Sequence, residues 1–179
     1  MAEYLWIFWS FSLLGWVLER LFAAVTRSPR RRRRCLLLLP LCPVYGLGMA
    51  AVLALPPSLR SGWPLYIWGC LTATAVEYIY HWWGETFLGV SFWDYTGVFG
   101  NLRGRVCLPF SLAWGLLLFP AVYLVTPPVV ALADRVPIGV TWWLLLAFTA
   151  DAVCSLRFLA VTHDLEALRA VIWPVSADR

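Results

Sequence analysis

Glu77, His81 and Glu85 stand four residues apart within an apolar run. At 3.6 residues per helical turn, the eight residues from first to last advance only about 80°, so the three side chains form one stripe about 12 Å long. Thr74 and Cys70 continue that stripe. Two carboxylates and an imidazole on one face could relay protons or hold a divalent metal, since both uses need groups converging on one side. The same carboxylates could instead pair with Arg103, Arg105 or Arg157 and tie helices together. One histidine near an interface is thin support for zinc, so no metal or other cofactor is expected.

Other residues with chemical potential fall in three places. In Leu41-Cys42-Pro43-Val44-Tyr45-Gly46-Leu47-Gly48, Pro43 lacks an N–H and the glycines let backbones approach closely. Irregular backbone at membrane depth is tolerated where protein buries it or where it lines a cavity; a packing kink with a small-residue contact is the simpler alternative. Cys42 as a nucleophile would need His81 or His163 brought to it. The stretch from Phe92-Trp93-Asp94-Tyr95-Thr96 to Asn101-Leu102-Arg103-Gly104-Arg105-Val106-Cys107 mixes aromatics with charges. It suits either an acidic-headgroup or phosphate site, because arginine forks bind such groups in bidentate fashion, or an interfacial anchor with Asp94 paired to an arginine. Glu19 and Asp151 are carboxylates within apolar runs. The five cysteines show no CxxC spacing and read as buried free thiols.

The elements positioning these groups follow from composition. Of 179 residues, 61% are apolar and 13% charged, and the mean hydropathy is +0.74. A soluble domain carries about 25% charged residues, so a water-soluble globule is excluded. Five windows of about 20 apolar residues leave no stretch long enough for a soluble catalytic or nucleotide-binding domain. The expected fold is all-α: one polytopic transmembrane helical domain over residues 1–179, with about five spans. These cover about Tyr4–Val25, Leu36–Leu55, Trp63–Phe87, Val106–Val125 and Ile138–Thr162, the second kinked at Pro40 and Pro43. A four-span alternative makes that second run re-entrant. Turns are expected at Pro56-Pro57-Ser58 and Pro127-Pro128. Basic residues follow the first run instead of preceding it, the reverse of a secretory signal, so it is read as an uncleaved helix.

All fourteen basic residues are arginine. Arg60 and Arg135 fall on one side of this topology. Arg20, Arg27, Arg30, Arg31, Arg32, Arg33, Arg34, Arg103, Arg105, Arg157, Arg169 and Arg179 fall on the other. Positive charge marks the cytoplasmic side, which puts the N-terminus outside and the C-terminus inside. Residues 91–105 become a cytoplasmic interfacial link and 164–179 a cytoplasmic tail. Arg30 to Arg34 act as topogenic charges that also touch anionic lipid, so no nucleic-acid partner is implied.

With that orientation Glu19, Cys42, Tyr45, Glu77, Glu85, Asp94, Asn101, Arg103, Arg105 and Asp151 gather on or near the cytoplasmic half, beneath a dry outer layer. An ionisable group within a span costs about 2.5–3.5 kcal/mol on insertion scales, so each needs a partner or water. Glu19, Glu77, Glu85, Asp94 and Asp151 nearly balance Arg20, Arg103, Arg105 and Arg157, which predicts a mutually neutralising network of ion pairs.

Taken in order, several segments resemble a family of small bacterial integral membrane proteins, the putative ABC-transporter type IV family. They are Leu14-Gly15-Trp16 with Glu19; Cys42 through Gly48; Glu77-Tyr78-Ile79 with Glu85; Trp93-Asp94-Tyr95-Thr96; and Asn101 with Gly104-Arg105-Val106-Cys107. They span about residues 14–115. Thr96 replaces the family's usual Ser, Leu39-Pro40-Leu41 replaces its Gly-Pro before Cys42, and His81 is not part of the pattern. The resemblance implies a multi-pass protein of the bacterial inner membrane acting as a permease-like transport subunit. No Walker-type loop is present, so it also implies a separate ATPase subunit, with residues 91–105 as the candidate contact, and a homo-oligomer to enclose a path. Two other classes stay open. One is an intramembrane enzyme acting on a lipid or prenyl phosphate, with Glu77, Glu85 or Asp94 as acid or base and Arg103 and Arg105 as clamps. The other is an accessory scaffold of a membrane complex.

Overall fold

The computed structural model describes residues 2–26 and 35–170. The arginines Arg30 to Arg34 and the end of the expected tail, 171–179, lie outside the described residues. The described chain is helical, and its sole β feature is an isolated bridge between Leu102 and Val106. Seven α-helices follow in order: α1 (Ala2–Thr26), α2 (Pro43–Leu53), α3 (Gly62–Trp83), α4 (Leu108–Pro120), α5 (Thr126–Arg135), α6 (Ile138–Thr162) and α7 (Leu165–Ala170). Among the described residues three stretches are long and apolar enough to cross a membrane: Ala2–Thr26, the continuous helical run Leu108–Arg135, and Ile138–Thr162. They leave mostly apolar side chains on the outside, including Trp142, Trp143, Leu146 and Val161 of α6.

The second apolar run differs from the kinked 20-residue helix that its hydropathy suggests. Residues 36–42 are irregular, and Pro43 occupies the first turn of α2 with Cys42 as its N-cap. Proline is favoured there because the N–H it lacks has no intrahelical partner anyway. The 11 residues of α2 rise about 16 Å, half of the ~30 Å hydrocarbon layer.

Two buried clusters define the ends of the bundle. Ile7, Phe11, Met49, Val52, Leu65 and Leu118 form one. The other joins Leu36, Leu37, Cys42 and Val44 to Leu88, Val90, Phe92, Trp93, Tyr95 and Cys107, and to Leu159, Leu165 and Leu168. The early part of α3 therefore packs beside the early part of α1. Their later parts meet through Tyr45 and Trp114, so α1 and α3 run parallel and residues 35–61 traverse the bundle between them. Gly46 permits the close α1–α2 crossing: a Cβ there would strike the Phe8 carbonyl oxygen and Ser12 Oγ.

Pro127 and Pro128 do not form the expected turn. They lie in the first turn of α5, which continues the α4 axis after a π-turn at Ala121–Val125. Thr126 Oγ1 donates to the Ala121 carbonyl at 2.8 Å, which also accepts from Thr126 N. A second π-turn, Gly84–Leu88, ends α3 and closes at Gly89 in the left-handed region (φ 65°).

Candidate functional site

The predicted stripe lies on α3 and its terminal π-turn, and it divides by burial. Glu77 and His81 are 2% and 1% exposed, whereas the Glu85 side chain is 35% exposed. A π-turn closes i→i+5 hydrogen bonds and is wider than an α-turn, which turns Glu85 outward toward the link. His81 Nε2 lies 3.1 Å from Glu85 Oε1 and 3.1 Å from Ser91 Oγ. Arg105 Nε donates to Glu85 Oε2 at 2.7 Å, and Arg105 Nη1 donates to Tyr78 Oη at 2.8 Å while the guanidinium stacks on the Tyr78 ring. The hydrogen bond to Glu85, chiefly, raises the Arg105 guanidinium above its already high range.

Glu77 accepts from Tyr95 Oη at 3.2 Å and from Trp114 Nε1 at 3.1 Å. Tyr45 packs edge-to-face on Trp114, with ring centroids 5.1 Å apart, and donates its hydroxyl to Glu19 Oε1. Gly15 makes this reach possible, because a Cβ at that position would overlap the Tyr45 ring. One turn further along α1, Glu19 is then within range of the phenol. A continuous chain thus runs from Glu19 through Tyr45, Trp114 and Glu77 to Tyr95 of the link.

The link is an ordered lattice of turns. Trp93 Nε1 donates to the Arg105 carbonyl at 2.7 Å, Tyr95 N to the Gly104 carbonyl at 2.8 Å, and Leu102 N to the Val106 carbonyl at 2.9 Å. Asn101 builds turns, donating Nδ2 to the Val98 carbonyl and accepting from Gly104 N. Asp94 caps its own turn, accepting from Thr96 N at 2.8 Å. Hydrogen bonds from the Thr96 side chain and then its backbone hold the carboxyl below the usual aspartate range. Gly104 (φ 69°) sits so close to Asp94 Oδ1 and Thr96 Oγ1 that a Cβ would lie 3.0 and 2.9 Å from them. Arg103 takes a positive φ of 54° and is exposed.

Asp151 lies apart from this chain. Its two oxygens accept from Leu38 N (3.1 Å) and Leu39 N (2.8 Å), and Ser155 Oγ donates to Oδ1 at 2.9 Å. It thereby fixes the irregular stretch before α2 to α6. Cys42 is buried beside Cys35, sulfur to sulfur at 2.6 Å.

Glu85 pairs with Arg105, and Glu77, Glu19 and Asp151 accept hydrogen bonds from indole, phenol, hydroxyl and backbone N–H donors. Arg20 stacks over Trp16, and Arg157 is exposed on α6. Sequence reasoning missed Tyr78, Tyr95 as a donor to Glu77, Trp114 and Ser155. A usable signal existed: a Trp or Tyr inside an apolar segment carries an N–H or O–H that needs an acceptor when buried. Among the described residues no group of three or more His, Cys, Asp or Glu side chains converges as metal ligands would.

The model of the family described as putative ABC-transporter type IV matches residues 6–156. The chain belongs to that family, and the match covers every residue of the chain from Glu19 to Arg105 as well as Asp151. No curated protein and no solved structure matches the chain.

Proposed function

With that membership as premise, we propose that the chain is the permease-like membrane subunit of a transport system. Its polar network faces the cytoplasm, and a separate ATPase subunit docks on residues 91–105. In this reading α1, α3, the α4–α5 run and α6 cross the inner membrane, and residues 35–55 cross between α1 and α3 as an irregular stretch followed by α2. The N-terminus lies outside and the C-terminus inside. Two or more copies assemble to enclose a path, since so few helices in one chain do not.

The observation carrying this reading is the attachment of the link to α3. Arg105 binds Glu85 and Tyr78, and Tyr95 binds Glu77. A force applied to the link therefore reaches a buried carboxylate and, through Trp114 and Tyr45, the end of α1. The tip of the link also presents Phe99, 77% exposed, a side chain suited to inserting into a partner. The phosphate-clamp reading gains no such support, because it needs the Arg105 guanidinium that Glu85 and Tyr78 already engage.

The test places a photo-crosslinking amino acid at Phe99 in cells and recovers the full chain. A nucleotide-hydrolysing protein covalently attached at that position, and co-purifying with the unmodified chain, is the expected outcome. Adducts with lipid alone, together with no ATPase in the purified material, would refute the docking.

A further inference from the structure

A cavity of about 380 Å³ lies between α1, α2, α3 and α4, within the ~300–1,000 Å³ range of small-molecule sites. Its existence follows from the side chains that surround it. Gly48 and Ala73 contribute almost no volume, and the π-turn after Pro120 places Pro120, Ala121 and Val125 on the lining. A Cβ added at Gly48 would meet nothing within 4 Å, so that position faces open space. Leu14, Val17, Leu18, Leu21 and Leu117 line the cavity and are also exposed on the bundle's outer surface. Its mouth is therefore lateral, toward lipid in the reading above.

The walls are aliphatic except at one place, where Tyr45, Glu77 and Trp114 meet. A hydrocarbon chain would gain contact with the two rings but nothing from the carboxylate residue set beside them. A cation would gain from all three. Ring faces attract cations by about 0.5–2 kcal/mol, and charge–charge attraction strengthens in a medium of low dielectric. The lateral mouth suits a cation apolar enough to arrive through the bilayer.

We propose that this cavity binds a hydrophobic organic monocation, its apolar groups against α1, α2 and α4 and its charge beside Glu77, Tyr45 and Trp114. As a substrate class this rests on the transport reading; as a binding site it stands on the geometry alone.

The test measures equilibrium binding of tetraphenylphosphonium to the full chain purified in detergent, with triphenylphosphine oxide as the uncharged comparison. Saturable binding of the cation, at least tenfold tighter than the uncharged compound, is expected, with a tenfold or greater loss in Glu77→Gln. Because Glu77 also holds Tyr95 and Trp114, that variant can fail to fold. Gly48→Leu supplies the independent arm: it extends into open space, relieves a helical glycine and should abolish binding while the protein stays folded. Equal binding of both compounds, undiminished binding in Gly48→Leu, or a co-purified phospholipid that the cation does not displace would each overturn the proposal. No ATPase is present in this assay, so its failure leaves the crosslinking result untouched, and the reverse holds.

Discussion

Removing the Asp151 carboxylate should release the stretch between α1 and α2. Leu38 N and Leu39 N have no helix to serve them, and both donate to Asp151. A hydrogen bond to a charged group contributes about 1.5–3 kcal/mol, so the two together contribute about 3–6 kcal/mol. The groups are half-buried, water recovers part of that loss, and the lower figure of about 3 kcal/mol applies to Asp151→Ala. At about 2–4 °C per kcal/mol for a chain of this size, the unfolding midpoint in detergent should fall by about 6–12 °C. Asp151→Asn should lose about half as much, since one amide oxygen can accept one N–H while the NH2 group opposes the other. Ser155→Ala removes one hydrogen bond to the same charged group and should cost about 1.5–3 kcal/mol. The second readout is maleimide labelling mapped by peptide. Cys42, 3% exposed at the end of the stretch, should label several-fold faster in Asp151→Ala and at the parental rate in Ser155→Ala. A midpoint within 2 °C of the parent, on the order of 1 kcal/mol or less, together with unchanged Cys42 labelling, would show that Asp151 does not hold this stretch.

Gly46→Ala should destabilise by about 1–3 kcal/mol, toward the upper figure because the atom struck is the Phe8 backbone oxygen; detergent unfolding checks it. Tyr45→Phe leaves Glu19 without its phenol donor and should cost about 1–3 kcal/mol; in a double-mutant cycle with Glu19→Gln the two losses should be non-additive, and additive losses would refute the coupling. Arg105→Lys keeps the charge but loses the fork between Glu85 and Tyr78, so limited proteolysis within 96–104 should quicken several-fold while the helices stay intact. Asp94 supplies a pH test. Its folded pKa is depressed by Thr96, so its contribution is present above the ordinary aspartate value of about 3.9 and is lost as pH falls through the lower folded value. Carboxyl NMR should find Asp94 titrating below that ordinary value, and Thr96→Val should move it back upward; an unmoved titration would exclude Thr96 as the cause.

Much of this arrangement is legible in the residues. The i, i+4, i+8 spacing put Glu77, His81 and Glu85 on one stripe, and alternating apolar runs and turns located α1, α3, α4 and α6. Hydropathy counts apolar atoms and is indifferent to backbone conformation, however, and so it could not distinguish a kinked helix from the irregular stretch before α2. It likewise could not foresee Pro127 and Pro128 inside a helical run, because the π-turn at Ala121–Val125 that precedes them leaves no mark in an apolar count. The Arg105–Glu85 pair fits charge matching. The phenol, indole and backbone donors to Glu19, Glu77 and Asp151 lie outside it, because charge matching counts such groups as apolar or not at all.

That distinction bears on how the network can act. A carboxylate held by an arginine fork is fixed in direction as well as in charge, and moving it separates two full charges. Glu77 takes hydrogen bonds from a phenol and an indole on different elements, Tyr95 on the link and Trp114 on α4. Shifting either ring breaks one bond of about 0.5–3 kcal/mol, within the range of a typical coupling free energy of about 1–3 kcal/mol. The link reaches Glu85 through an arginine and Glu77 through a phenol, so a small displacement of the link is expected to change the Tyr95–Glu77 contact before it breaks the Arg105 attachment. The sequence of events is measurable. Under graded perturbation of the link, by crosslinker length at Phe99 or by a docked partner, the fluorescence of Trp114 should change before protease reaches residues 96–104. Cleavage preceding any change at Trp114 would mean that the link and the buried carboxylate are not mechanically joined.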